Sequence, residues 1–189
     1  MISSCCFDLE TSSLNANFGI VLCAVIKGSD RKKPYVFRGD SYDPWKNGNR
    51  SDDSLLVKDI VSCLNDYDVL VAHNGARFDV PFLRTRLAKW HPSLECGAFP
   101  NKKLVDPVLL ARSKLRMSSN SLAAIASLIG AGEKTLVDGD VWMRAALDGD
   151  SEAMDIIVKH CIIDVDILEK VADAVKPYCS AFNTYGSGF

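Results

Sequence analysis

The chain has 189 residues, sets 22 Lys and Arg against 24 Asp and Glu for a formal net charge of −2, and is 48% hydrophobic. That length suits one domain with a sizeable core, and the ordinary composition excludes disordered and collagen-like classes, while the net charge gives no global attraction to nucleic acid. No apolar run approaches the roughly 20 residues of a transmembrane helix, and the N-terminus lacks a signal peptide's basic flank and apolar stretch, so an intracellular, soluble protein without a membrane partner is expected, cytoplasmic or nucleoid-associated.

The first stretch, Ile2 to Thr11, reads as a core strand that runs into two carboxylates. Strand side chains alternate, so Asp8 and Glu10 share one face while Phe7 and Leu9 point to the other. Two acids on one face repel, and a cation between them removes the conflict. Such pairs are common at strand ends and usually face solvent, so the rest of the chain decides. Phe18 to Lys27 is an apolar run rich in β-branched residues and predicts a second strand; Gly28 to Lys33 is a turn, and Tyr35 to Arg38 a short third strand. Connections this short imply an antiparallel meander. Residues 39–50 read as loop.

Ser51 to Ser54 reads as a helix start, because short polar oxygens and acids suit the free N–H groups there. Leu55, Leu56, Ile60, Val61 and Leu64 then repeat at helical spacing. Asp68 to Ala72 predicts a buried parallel strand, and Val80 to Trp90 a helix with Pro81 in its first turn. Asp79 therefore falls where a strand's carboxyl end meets a helix, the usual place for a site in an open α/β sheet, although capping that helix is an equal reading. Residues 91–103 predict a loop, Lys103 to Asp106 a last strand, and Pro107 to Lys114 and Ser121 to Ile129 two helices, the second closed by Gly130. From Gly132 to Gly149 the pattern is weak, with Trp142, Met143 and Leu147 suggesting a short amphipathic segment.

Ser151 to Lys176 is strongly helical and ends at Pro177. On it His160 and Asp164 are neighbours one turn apart, while Asp166 faces elsewhere; in isolation such a pair reads as a surface hydrogen bond. Residues 1–180 are expected to form a single domain and 181–189 a flexible tail. Seven cysteines, Cys5, Cys6, Cys23, Cys63, Cys96, Cys161 and Cys179, are odd in number, form no C-x-x-C pair and lie mostly in apolar runs, so they read as reduced core residues. Lys102, Lys103, Arg112, Lys114 and Arg116 crowd one stretch against Asp106 alone; a solvated face is the plain reading and a phosphate-tracking patch the functional one.

Phe7-Asp-Leu-Glu-Thr11, Asn74-Gly-Ala-Arg-Phe-Asp79 and His160-Cys-Ile-Ile-Asp164 together resemble, in order and across nearly the whole chain, the three motifs of the DEDD superfamily of 3′-5′ exonucleases. The intervening text is similar to stand-alone relatives of the family B polymerase proofreading domains. One departure stands out: the third motif keeps the four-residue spacing of the superfamily's tyrosine branch but carries His. The resemblance implies an α/β ribonuclease H-like fold with a mixed five-stranded sheet, three antiparallel strands then parallel ones, flanked by helices. It implies hydrolysis of phosphodiester bonds from the 3′ end of single-stranded nucleic acid, DNA favoured over RNA, with release of mononucleotides.

By the same resemblance Asp8, Glu10, Asp79 and Asp164 would hold two divalent cations, Mg2+ or Mn2+; hard ions suit carboxylates, and such pairs activate water and stabilise a leaving oxygen. Asp8 would bridge them, Glu10 and Asp164 would bind the ion beside the attacking water, and Asp79 would help place the second. His160 would orient or deprotonate that water, which an imidazole near its ordinary pKa does better than a phenol. Leu9, Thr11, Asn74 and Phe78 are the candidates for substrate placement, although core packing is an equal reading of Phe78. A separate polymerase or repair protein is the partner the resemblance leaves open, as is oligomeric state. A ribonuclease H-type endonuclease and a catalytically silent binding module on the same fold are the competing readings, the second weakened by retention of four mutually repelling acids.

Overall fold

A computed structural model describes residues 2–92 and 102–178. Its centre is the first strand, β1 (Ser4–Thr11), which pairs antiparallel with β2 (Val21–Gly28); β2 in turn pairs antiparallel with β3 (Tyr35–Arg38). A 3-10 turn at Gly39–Ser41 and a short helix, α1 (Asp43–Lys46), follow, where the sequence predicted only loop. Pro44 explains the helix, because its fixed φ suits a first helical turn. After α2 (Ser54–Asn65), β4 (Val69–Val71) pairs parallel with β1; after α3 (Asp79–Trp90), β5 (Lys103–Val105) pairs parallel with β4.

The sheet order is therefore β3-β2-β1-β4-β5, the expected mixed arrangement with three antiparallel strands followed by parallel ones. Helices α4 (Pro107–Lys114), α5 (Leu122–Ile129), α6 (Gly139–Met143), a π-helical turn at Arg144–Asp148 and α7 (Ser151–Val175) complete the chain up to a 3-10 turn at Lys176–Tyr178. The weakly patterned 132–149 stretch thus holds two short helical pieces. The expected tail, Cys96, Cys179 and most of the 91–103 loop lie outside the described residues.

Strand alternation divides the interior in two. Cys5, Phe7 and Leu9 pack with Leu56, Ile60 and Leu83 beneath α2 and α3. Cys6, Leu22 and Val25 pack with Ile125, Ile157 and Val165 beneath α5 and α7. The odd residue at Leu22, where the β1-β2 register slips between Glu10 and Thr11, puts Leu22 and Cys23 on the same side. A bulge of this kind bends the strand that holds the extra residue, here β2 beside the acid-bearing end of β1. All five described cysteines are free, and four are buried, as core thiols should be. The outward face of α7 is tied to the sheet by Lys27, whose Nζ lies 2.8 Å from Asp166 and 2.7 Å from Glu169; Asp166 faces away from His160, as its spacing predicted.

Candidate active site

β1 sends Asp8 and Glu10 toward α7 because Phe7 and Leu9 take the other core. From α7 the inward face returns His160, Cys161 and Asp164. The His160–Asp164 pair is not a surface pair: His160 is 9% exposed and Asp164 3%. His160 Nε2 lies 3.7 Å from both Glu10 Oε1 and Asp164 Oδ2. Asp79 is the first residue of α3, Phe78 takes the cap position, and no side chain caps that helix. Asp79 is 2% exposed, and its electrostatic neighbour of greatest effect is Asp8.

The turn that delivers Asp79 has backbone reasons for its sequence. Asn74 adopts a left-handed conformation, φ 65°, which asparagine tolerates better than most residues. A side chain at Gly75 would collide with the Ala72 methyl. Asp106, buried at the end of β5, then pins the turn: its Oδ1 accepts from the Asn74 N–H at 2.9 Å and its Oδ2 from the Ala76 N–H at 3.3 Å, while Oδ1 also caps α4.

Burial dominates the electrostatics. Asp8 is pushed up to about 7, first by loss of hydration and then by Asp164; Glu10 is pushed up to about 8, first by burial and then by Asp8. Burial followed by the Asp8 charge also drives Asp79 well above the carboxylate range. His160 is held below the usual imidazole value, mainly by burial. Without an added cation these acids favour their neutral forms, because a buried charge without a partner is costly.

Two features fit divalent cations. Buried oxygens of two acids, Asp79 Oδ1 and Asp164 Oδ1, have no hydrogen-bond partner, although nearly every buried polar atom finds one. Asp8, Glu10 and Cys161 each offer an atom within 4.8 Å of the others, close enough to share one ion. Among the described residues the cation paired at the cluster is Lys134, which meets Asp164 Oδ2 from the segment between α5 and α6.

Three further contacts were not legible in the sequence. Thr135 Oγ1 is in hydrogen-bond contact with His160 Nδ1, the Trp142 indole N–H donates to Glu10 Oε2 at 3.0 Å, and the Trp142 and His160 rings meet edge to face at 5.9 Å. Lys134 and Thr135 lie in a stretch without periodicity, and Trp142 carried only an amphipathic signal. Cys161 was read as a core thiol, which it is, yet its Sγ also lies 3.7 Å from Asp8 Oδ2.

The candidates for substrate placement are scattered around this cluster. Leu9 is buried in the α2-α3 core, which leaves its backbone N–H, directed at the Asp8 and Asp79 carboxylates, to face the site. Thr11 Oγ1 donates to the Ser13 carbonyl at 2.9 Å. Phe78 packs on Phe82, ring centroids 5.7 Å apart, and borders an open groove of about 360 Å³. The basic stretch is divided: Lys102 and Lys103 lie at the start of β5, the end of the parallel strands opposite the acids, while Arg112 and Lys114 lie in the last turn of α4.

A model of the RNase_H superfamily matches residues 5–176. The chain belongs to that superfamily. Its fold is ribonuclease H-like, and the mixed sheet above is the form it takes here. Among relatives of this RNase H-superfamily chain, the DNA polymerase III PolC-type of Ureaplasma parvum serovar 3 is 28% identical over an alignment 137 residues long that covers 63% of this chain and 9% of the polymerase. The family B DNA polymerase of the archaeon Pyrobaculum calidifontis superposes with a TM-score of 0.67 at 20% identity over 94% of this chain, a likeness of fold. The chain spans 25% of that structure, so it corresponds to a small part of each polymerase. No helix among the described residues is long and apolar enough to cross a membrane.

Proposed function

We propose that the chain is a metal-dependent 3′-5′ exonuclease that releases mononucleotides from single-stranded nucleic acid, DNA in preference to RNA. The observation that carries the reading is the convergence of four acids from β1, α3 and α7, with unpaired buried oxygens on Asp79 and Asp164, beside a histidine. Superfamily membership supports a nuclease, and the two polymerase likenesses, together with the motif order, favour an exonuclease acting on DNA.

Asp8, Glu10, Asp79 and Asp164 would hold two Mg2+ or Mn2+ ions. Such ions, when bound, lower the pKa of water and offset charge on the phosphate and the leaving oxygen. The protein's own groups do the rest. His160 Nε2, between Glu10 and Asp164, accepts a proton from the attacking water; burial keeps the imidazole neutral and able to do so. The new bond joins water oxygen to phosphorus, the bond to the 3′ oxygen breaks, and that oxygen leaves as the new 3′ hydroxyl after taking a proton from solvent. Trp142 holds Glu10 in place.

The strand's terminal nucleotides would lie along the groove lined by Leu14, Asn17, Arg77, Phe78, Pro81 and Thr85. Phe78 offers a ring face to a base and Arg77 a charge to a phosphate, and Leu9, Thr11 and Asn74 remain the further candidates for placing the terminal nucleotide. The partner class implied is a DNA polymerase or repair protein, on the same longer chain or a separate one.

The test uses matched single strands labelled at either end, DNA and RNA, with Mn2+, Mg2+ or chelator, and with Asp8→Asn. Mononucleotide release from the 3′ end, abolished by chelator and by Asp8→Asn, is expected. Internal fragments would replace the proposal with an endonuclease, and intact strands under every condition would replace it with a binding module.

A further inference from the structure

We propose that Thr135 is a positioning residue for the reaction, holding the His160 imidazole with Nε2 toward Glu10 and Asp164. The inference rests on the exonuclease reading and extends it to a residue on the irregular segment between α5 and α6.

The need for such a residue follows from the shape of imidazole. A ring flip of 180° about χ2 keeps the ring plane but exchanges nitrogens with carbons. Trp142, edge to face against His160 with an interplanar angle of 88°, restrains the plane and is indifferent to the flip. The carboxylates at 3.7 Å are too distant for good hydrogen bonds to Nε2 and do not select one flip state firmly. Thr135 Oγ1 does, because it engages Nδ1 and would face a carbon in the flipped ring. Its hydroxyl can accept from Nδ1–H, which leaves the Nε2 lone pair free, the arrangement a proton acceptor requires.

The segment is anchored well enough for the task. Lys170 Nζ donates to the Ala131 carbonyl at 2.8 Å, and Lys134 pairs with Asp164, so α7 holds the segment on both sides of Gly132 and Glu133. Thr135 itself is exposed and fills no core space. A phenol at the position of His160 would need no such partner, since its hydroxyl lies on the flip axis; the departure at His160 and the placement of Thr135 thus have one physical explanation.

The test compares wild type, Thr135→Val and Thr135→Ser on a single-stranded oligonucleotide with saturating Mn2+, alongside ¹⁵N-imidazole NMR of the metal-free proteins with His160→Gln to assign the signals. Loss of an orienting hydrogen bond on a site residue typically costs about 10- to 100-fold. Thr135→Val should therefore lower kcat at least about 10-fold with KM little changed, Thr135→Ser should recover most of it, and the His160 nitrogen shifts should move in the valine variant alone. Valine at wild-type rate, serine that fails to rescue, or unmoved nitrogen shifts would overturn the role of Thr135 while leaving the exonuclease reading intact. Wild type inactive with every metal would overturn the exonuclease reading, and the positioning role with it.

Discussion

Two charged clusters in this molecule each set carboxylates beside a basic side chain and an indole, and they end in opposite states. Beneath α2 and α3, Asp53 is 4% exposed and fully engaged: it accepts from the Val21 N–H at 2.9 Å, from Arg86 at both carboxylate oxygens and from the Trp90 indole at 2.6 Å. Arg86, 1% exposed, also donates to the Ala16 and Ser51 carbonyls. On the other side of β1, four acids, Asp79 and Asp164 buried and Asp8 and Glu10 half-buried, have Lys134 as their paired cation among the described residues, and two of their buried oxygens have no partner. A buried acid that carries its own cation braces a fold. Buried acids that lack one are costly to the apo protein and are retained where an external cation completes them.

The largest difference between the two clusters should appear on removing an acid. Asp53→Ala strands Arg86 without its counter-charge, and breaking a buried pair in this way costs about 3–5 kcal/mol. At roughly 2–4 °C per kcal/mol for a chain of this size, the melting temperature should fall by about 6–20 °C. Asp8→Asn should do the reverse in the metal-free protein, raising or preserving the melting temperature because it removes repulsion. The same variant should lower nuclease activity about 100-fold or more. A thermal melt and an end-labelled digestion of each variant check the pair; Asp8→Asn melting as low as Asp53→Ala would erase the contrast.

A pH series sharpens the contrast next. Asp8 and Glu10 are raised to about 7 and about 8, so between about pH 4 and pH 8 the folded metal-free protein keeps protons that the unfolded chain has released. Where the native state binds more protons, stability falls as pH rises. The cluster's contribution is therefore intact below about pH 4 and lost progressively toward pH 8. Melting temperature should decline across that window, Mn2+ should restore it at the alkaline end, and Asp8→Asn with Glu10→Gln should flatten the slope.

Lys134 is the smallest lever. It is 30% exposed, and pairs of this kind contribute about 0.2–1 kcal/mol. Because it competes for Asp164, Lys134→Met should tighten Mn2+ binding by up to about fivefold in a calorimetric titration; weaker binding would mean that Lys134 supports the ion instead of displacing it.

The contrast also marks what a sequence can reveal. Asp8 and Glu10 were legible because strand alternation is rigid: Phe7 and Leu9 must enter one core, so the acids must face α7. His160 and Asp164 were legible because helix spacing is equally rigid. Asp53 was not, since Ser51 to Ser54 reads as a capping segment and nothing in it announces that Asp53 turns inward to meet Arg86 from another helix. Thr135 and Lys134 were hidden for a related reason. They lie in an irregular segment, and only the tertiary path of that segment across α7 brings them to the site. Asn74 and Gly75 were read for substrate contact and motif resemblance, whereas the turn they form also demands them for backbone conformation and close packing.

Titration of Mn2+ into the metal-free wild type and into Asp8→Asn at about pH 8, followed by calorimetry, is the direct test of whether the acid cluster takes an external cation. Saturable binding of two ions to wild type, lost or reduced to one weak ion in Asp8→Asn, is the predicted result. Absence of binding at millimolar Mn2+, or binding that Asp8→Asn leaves unchanged, would contradict it and make the four acids a strained structural cluster.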